Sequence, residues 1–271
     1  MVSRLALAEV PPLTLAMLRY AIGFACLLPF AWPLRLACGV RDGIGMALLG
    51  IGQFGVLIAL FNFGLQRIDA AEAALIFSLF PLMTLLISAA AGRERVTPAL
   101  LTGVIVSIAG VALSIAPKLA SHADRSWWGE LAVLGSAAIG AVCSVLYRPY
   151  LKRYPTVPVS AFAMLASVAF LAVAAWPEHW PQRLPAFSAA AWAATLFIGV
   201  SSAIGYFAWL YALKRESPTR VTVFLALNPP TAALLGWAML GEAVHPAVGA
   251  GLVLVGAGLW LATRTGNRAS R

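Results

Sequence analysis

Apolar residues in this chain run in long unbroken stretches, and short polar clusters rich in Arg, Pro and Gly punctuate them. Nine such stretches are legible, at about 11–32, 44–66, 70–91, 98–117, 128–148, 156–176, 188–213, 218–240 and 245–263. Each is long enough to cross a hydrocarbon core of about 30 Å as a helix. A membrane barrel would alternate apolar and polar positions instead. The pattern therefore predicts an all-α, polytopic membrane helical bundle. Pro98, Pro218 and Pro246 mark three of the starts, because a proline in the first helical turn loses no intrahelical bond.

Composition fits this reading. Of 271 residues, 61% are hydrophobic and 11% charged, and the mean hydropathy is +0.88. A soluble domain carries about 25% charged residues. The net charge of +9 would suit a nucleic-acid partner only if Lys and Arg clustered, but they sit singly or in pairs between apolar runs. Loops on one side collect Arg35, Arg41, Arg93, Arg95, Arg148, Lys152, Arg153, Lys214, Arg215 and Arg220, together with Arg264, Arg268 and Arg271 of the tail. The other side has Arg4, Arg67, Lys118, Arg125 and Arg183. Positive charge stays inside, which predicts a multi-pass cell-membrane protein (bacterial inner or plasma membrane) with a cytoplasmic C-terminus. Cys26, Cys38 and Cys143 have no ligand spacing and read as packing residues.

An internal repeat carries the organisation. A shift of 148 matches Pro81 with Pro229, Glu94 with Glu242, Pro98 with Pro246, and Gly103 and Gly110 with Gly251 and Gly258. A shift of 147 matches Val10-Pro11 with Val157-Pro158 and Ala16-Met17-Leu18 with Ala163-Met164-Leu165. One repeat spans five helices, an odd number, so matched helices cross in opposite directions. Inverted repeats of this kind are a transporter architecture, with a site near the midplane and alternating access between two similar arrangements. The expected division is a first repeat at 1–117, a second at 128–263 and a tail at 264–271.

Prolines inside helices free backbone carbonyls, and paired interruptions in two halves point to a transporter's site. Pro81, Pro229 and Pro230 are the hinge candidates, flanked by the polar side chains of Ser78 and Asn228. Arg19 lies about eight residues into the first span, roughly 12 Å deep. A charge there is costly unless it faces a cavity or a partner. It binds a substrate carboxylate, reaches Glu72, or caps freed carbonyls. Gln53 and Asn62 in the second span, and Tyr206 and Trp209 in the seventh, complete the candidate lining. Tyr211, nearer a span end, suits the membrane interface. No Asp or Glu lies convincingly mid-span, so no proton-carrying group is assigned. Glu94 and Glu242 read as structural turn residues beside the following helix starts, where a carboxylate meets orphan N–H groups, with a proton site as the alternative. With all three His in loops and no paired carboxylates or phosphate loop, no enzyme chemistry, metal or cofactor is expected.

The run Leu79-Phe80-Pro81 followed by Gly92-Arg93-Glu94-Arg95, and Asn228-Pro229-Pro230 followed by Leu240-Gly241-Glu242, resemble signatures of the EamA family in the drug/metabolite transporter superfamily. Pro11 with Leu18-Arg19 and the run Ala70-Ala71-Glu72-Ala73-Ala74 add to the likeness. The resemblance implies ten helices as two five-helix repeats and a small-metabolite substrate. Nine spans are present, and the shift of 147 sets Met1 opposite Arg148. The first helix of repeat one is therefore expected to be missing, through a misassigned start or a truncation. The expected function is transport of small amphipathic metabolites, with export of amino acids or related compounds favoured. Import of a sugar or other metabolite, or a non-transporting assembly subunit, are the alternatives. The expected partners are a small-molecule substrate and the lipid bilayer.

Overall fold

Pro11 and Pro12 open the first helix of the computed structural model, which describes residues 6, 9–34, 38–68, 70–119, 127–228 and 246–264. The described elements are helical throughout. They are α1 (Pro12–Ala31), α2 (Val40–Leu65), α3 (Ala70–Phe77), α4 (Phe80–Ala90), α5 (Pro98–Leu119), α6 (Trp127–Arg153), α7 (Thr156–Ala174), α8 (Ala189–Arg215), α9 (Pro218–Val223) and α10 (Pro246–Arg264). Short 3-10 and α turns over Trp176–Ala186 link α7 to α8. Among the described residues, five segments are long and apolar enough to cross a membrane: α1 with its 3-10 extension to Leu34, α2, α6, α7 and α8.

The third expected span is broken. Helical bonding runs as far as the Ser78 N–H on the Ala74 carbonyl, then tightens to Leu79 N–H on Ile76. A new helix, α4, starts at Phe80 with Pro81 in its first turn. Pro81 brings no N–H and its ring crowds the preceding turn, so the helix stops and restarts instead of kinking. The break recurs in the second repeat. After α9 the chain tightens to a 3-10 turn over Phe224–Leu227, ending with Asn228 N–H on the Leu225 carbonyl. A shift of 148 sets Ile76–Leu79 on Phe224–Leu227. Pro229 and Pro230 lie outside the described residues.

Packing divides the chain into two compact units, Met1–Asn62 with Leu146–Arg215, and Phe63–Val145 with Glu216–Arg271. Each unit contains both copies of its helices: α1 with α7 and α2 with α8 in the first, α3–α4 with α9 and α5 with α10 in the second.

In the first unit α1 packs on α7 and α8. A Cβ on Gly23 would meet the Met164 sulfur at 3.1 Å, and one on Gly199 would meet Ile22 at 2.6 Å. Leu15, Ala191 and Ala194 bury themselves together at the start of α1 and α8.

In the second unit α5 and α10 form the main seam. A Cβ on Gly103 would lie 2.6 Å from the Gly258 carbonyl oxygen, and one on Gly110 would lie 2.7 Å from that of Gly251. As the number rises on α5 it falls on α10, so the two helices are antiparallel. Gly103 is the repeat counterpart of Gly251, and Gly110 of Gly258. The pair Gly103–Gly258 therefore maps onto Gly251–Gly110, the other contact. Matched helices running oppositely, with contacts exchanged by the repeat, are what a local two-fold axis produces. Val104, Val111, Val255 and Ala262 fill the core around this seam.

Candidate functional site

The first unit holds five of the site candidates singled out from the sequence, Arg19, Gln53, Asn62, Tyr206 and Trp209. Arg19 sits on α1 within a helix long enough to span lipid. Its Nη2 donates to the Tyr20 hydroxyl at 2.6 Å, and its guanidinium lies 4.7 Å from the centre of the Tyr20 ring. Cation and ring attract each other more strongly when both are withdrawn from water. No carboxylate pairs with Arg19 among the described residues, and its Nε is buried without a hydrogen-bond partner. The side chain of Glu72 lies outside the described residues.

Tyr20 leads on to α2 and α8. The Phe54 ring centroid lies 4.5 Å from that of Tyr20 and 4.2 Å from that of Tyr206, edge-on to the latter. Gln53 precedes Phe54 on α2, and its Oε1 is buried without a partner. Trp209 follows Tyr206 by one helical turn, on the same stripe of α8. Arg19 and Tyr206 are thus joined through Tyr20 and Phe54 into one polar-aromatic cluster, with Gln53 next to Phe54 in sequence and Trp209 one turn beyond Tyr206. Asn62 is half-buried and lies nine residues beyond Gln53, roughly 13 Å along the axis. The cluster does not include it.

Sequence reasoning missed Tyr20 and Phe54, and it missed the backbone that presents them. Over Ile51–Val56 α2 widens to a π-helix, closed by Leu57 N–H on the Gly52 carbonyl. Gln53 and Phe54 sit inside this turn. Such insertions into α-helices are frequent at functional sites. The only local signal is the glycine spacing of Gly50, Gly52 and Gly55.

The remaining candidates belong to the second unit. Ser78 is buried at the α3–α4 break, and Pro81 is buried one turn later. Asn228 is exposed at the end of the 3-10 turn. Among the described hydrogen bonds, Glu94 makes none to the start of α5. Its Oε2 instead accepts the Thr219 hydroxyl at 2.8 Å, in the first turn of α9.

The profile of the EamA-like transporter family matches residues 1–116 and again 127–264. The chain belongs to the EamA-like transporter family. It is therefore a membrane transporter and not an enzyme. Among similar proteins is a probable terminal-alkyne amino-acid exporter of Streptantibioticus cattleyicolor, 32% identical over 82% of this chain and 72% of its own. An aromatic amino acid exporter, YddG, of Ancylobacter novellus is 28% identical over 83% of this chain and 78% of its own. An uncharacterized transporter of Archaeoglobus fulgidus is 27% identical over 90% and 87%. One solved crystal structure, 24% identical, has the same fold, with a TM-score of 0.82 over 100% of this chain and 93% of its own.

Proposed function

We propose that this EamA transporter exports amino acids with large apolar side chains across the cell membrane by alternating access, with its C-terminus in the cytoplasm. The observation that carries the reading is the Arg19–Tyr20–Phe54–Tyr206 cluster, with a buried amide oxygen on Gln53, the residue before Phe54. A zwitterionic amino acid has three features to recognise. Arg19 offers guanidinium donors to a carboxylate, which favours planar two-point contacts. The Gln53 carbonyl oxygen accepts from an ammonium group. Phe54, Tyr206 and Trp209 offer ring surface to an apolar side chain.

The amino-acid chemistry named for two relatives agrees with this reading. The breaks at Ser78–Leu79 and Phe224–Leu227, followed by Pro81 and by Pro229-Pro230, supply the hinges. Asn62, Ser78 and Asn228 stay as secondary candidates for substrate contact.

The test is counterflow in proteoliposomes, with labelled amino acids, sugars and amines offered in turn. Saturable exchange of large apolar amino acids, well above sugars and amines, supports the proposal. Exchange confined to sugars or amines, or no exchange from protein that is monodisperse before reconstitution, overturns it.

A further inference from the structure

The π turn of α2 has a structural cause that lies on another helix. A Cβ on Gly55 would press 2.5 Å from the Phe170 ring, and one on Gly50 would overlap the Ala163 backbone. Both glycines therefore face α7. Five residues apart on an α-helix they would diverge by about 140°, so a regular α2 could not set both against α7. The wider π turn brings them back to one face. On α7 the residues they meet, Ala163 and Phe170, bracket Ser167 on one stripe. The Ser167 hydroxyl is fully buried and donates to the Gly50 carbonyl at 2.6 Å, at the point where α geometry gives way to π. This hydrogen bond runs between helices, whereas the buried hydroxyls of Ser160 and Thr195 bond back to their own helices.

We propose that Ser167 is a positioning residue for substrate recognition. Its hydroxyl pins the Gly50 carbonyl, holds the π turn, and so fixes the direction in which Gln53 and Phe54 are presented. Substrate preference for a large apolar side chain then depends on a residue that touches no substrate. The inference rests on the amino-acid reading above, but its structural half does not need that reading.

The experiment compares wild type, Ser167→Ala, Ser167→Thr and Ser160→Ala, with Ser167→Cys as a near-isosteric second variant should Ser167→Ala yield too little folded protein. Hydrogen–deuterium exchange of the Ile51–Val56 amides reads the π turn directly, without transport. Losing the pin should speed that exchange about tenfold in Ser167→Ala and Ser167→Cys. In counterflow the same variants should raise KM for a large apolar amino acid several-fold, with the maximal rate unchanged to within about twofold. Ser160→Ala should move neither quantity, and Ser167→Thr should restore both. Unchanged exchange in Ser167→Ala and Ser167→Cys overturns the pin. Faster exchange with unchanged KM overturns the positioning role. Wild-type protein that moves no amino acid overturns the proposed function instead, while the exchange arm still decides whether Ser167 holds the turn.

Discussion

Arg93 Nη1 donates to the backbone carbonyl oxygen of Val145 at 2.8 Å. That carbonyl is the one Pro149 leaves without its usual donor, because Pro149 stands four residues later inside α6 and has no N–H. A side chain from the α4–α5 loop thus completes the backbone bonding of another helix. The arrangement predicts a coupled pair. Arg93→Ala should lower stability by about 1–3 kcal/mol, as expected for a buried acceptor left unpaired. Pro149→Ala supplies an intrahelical N–H to the same carbonyl, so adding it to Arg93→Ala should recover part of the loss. Thermal unfolding in detergent of both single variants and the double variant reads the coupling, expected at about 1 kcal/mol. Additive losses would break the link.

Glu178 closes the start of α1. The first four N–H positions of a helix lack intrahelical partners, and here two of them are Pro11 and Pro12, which have none to offer. The other two, Leu13 and Thr14, donate to Glu178 Oε1 and Oε2 at 3.0 and 2.7 Å, and the Thr14 hydroxyl joins at 2.6 Å. Every orphan is accounted for. Glu178→Ala should cost about 1–2 kcal/mol, in the range of a lost N-terminal cap, and Glu178→Gln less. A thermal shift measurement in detergent checks the order wild type, Gln, Ala.

Glu9 does the corresponding work for α8. Its carboxylate accepts from the Ser188 N–H at 2.9 Å and the Ser188 hydroxyl at 2.7 Å, while Ser188 Oγ accepts from Ala191 N–H at 3.1 Å. The Ser188 backbone N–H, then its hydroxyl, hold the Glu9 carboxyl below its ordinary range. The unfolded chain therefore takes up this proton at a higher pH than the folded one. The contribution is complete above the unfolded value of about 4.3 and fades as pH falls through the lower folded value. Unfolding temperatures measured from pH 7 down to pH 3 should fall less steeply in Glu9→Gln than in wild type. Parallel curves would show that the carboxylate contributes nothing.

The α5–α10 seam makes a symmetry prediction. Gly110 and Gly258 occupy equivalent positions, each against the backbone of the opposite helix. Gly110→Val and Gly258→Val should therefore destabilise to a similar degree, by about 1–3 kcal/mol each, the cost of overpacking. Size-exclusion profiles after graded heating would measure both. A large cost at one position and none at the other would contradict the local two-fold.

Much of the fold was legible because lipid allows little choice: a long apolar run has to be a helix. The sixth span was expected at 156–176 and runs Thr156–Ala174 as α7. The repeat was legible from Gly103 and Gly110, whose counterparts turn out to be each other's contacts across the seam. What the sequence hid depends on distant residues. Pro81 announced a break, but the chain parts at Ser78–Leu79, a turn earlier, because the ring disturbs the backbone before it. Nothing local in Ile51–Val56 demands a π turn; Ala163, Ser167 and Phe170 on α7 do. Arg93 read only as a loop charge, although its partner is a carbonyl 52 residues away. At the candidate site the polar residues stood out as unusual in an apolar span, whereas Tyr20 and Phe54 did not, since aromatics are ordinary there.

The measurement that bears most directly on the account is acid-versus-amine discrimination in proteoliposomes. Labelled phenylalanine counterflow is competed by unlabelled phenylalanine or by phenethylamine, its decarboxylated analogue, in wild type and in Arg19→Gln. If Arg19 reads the carboxylate, wild type should prefer the acid by roughly 10–100-fold, the worth of a charged hydrogen-bonded contact. Arg19→Gln should lose most of that preference while phenethylamine competes about as before. Equal discrimination by both proteins would contradict the account.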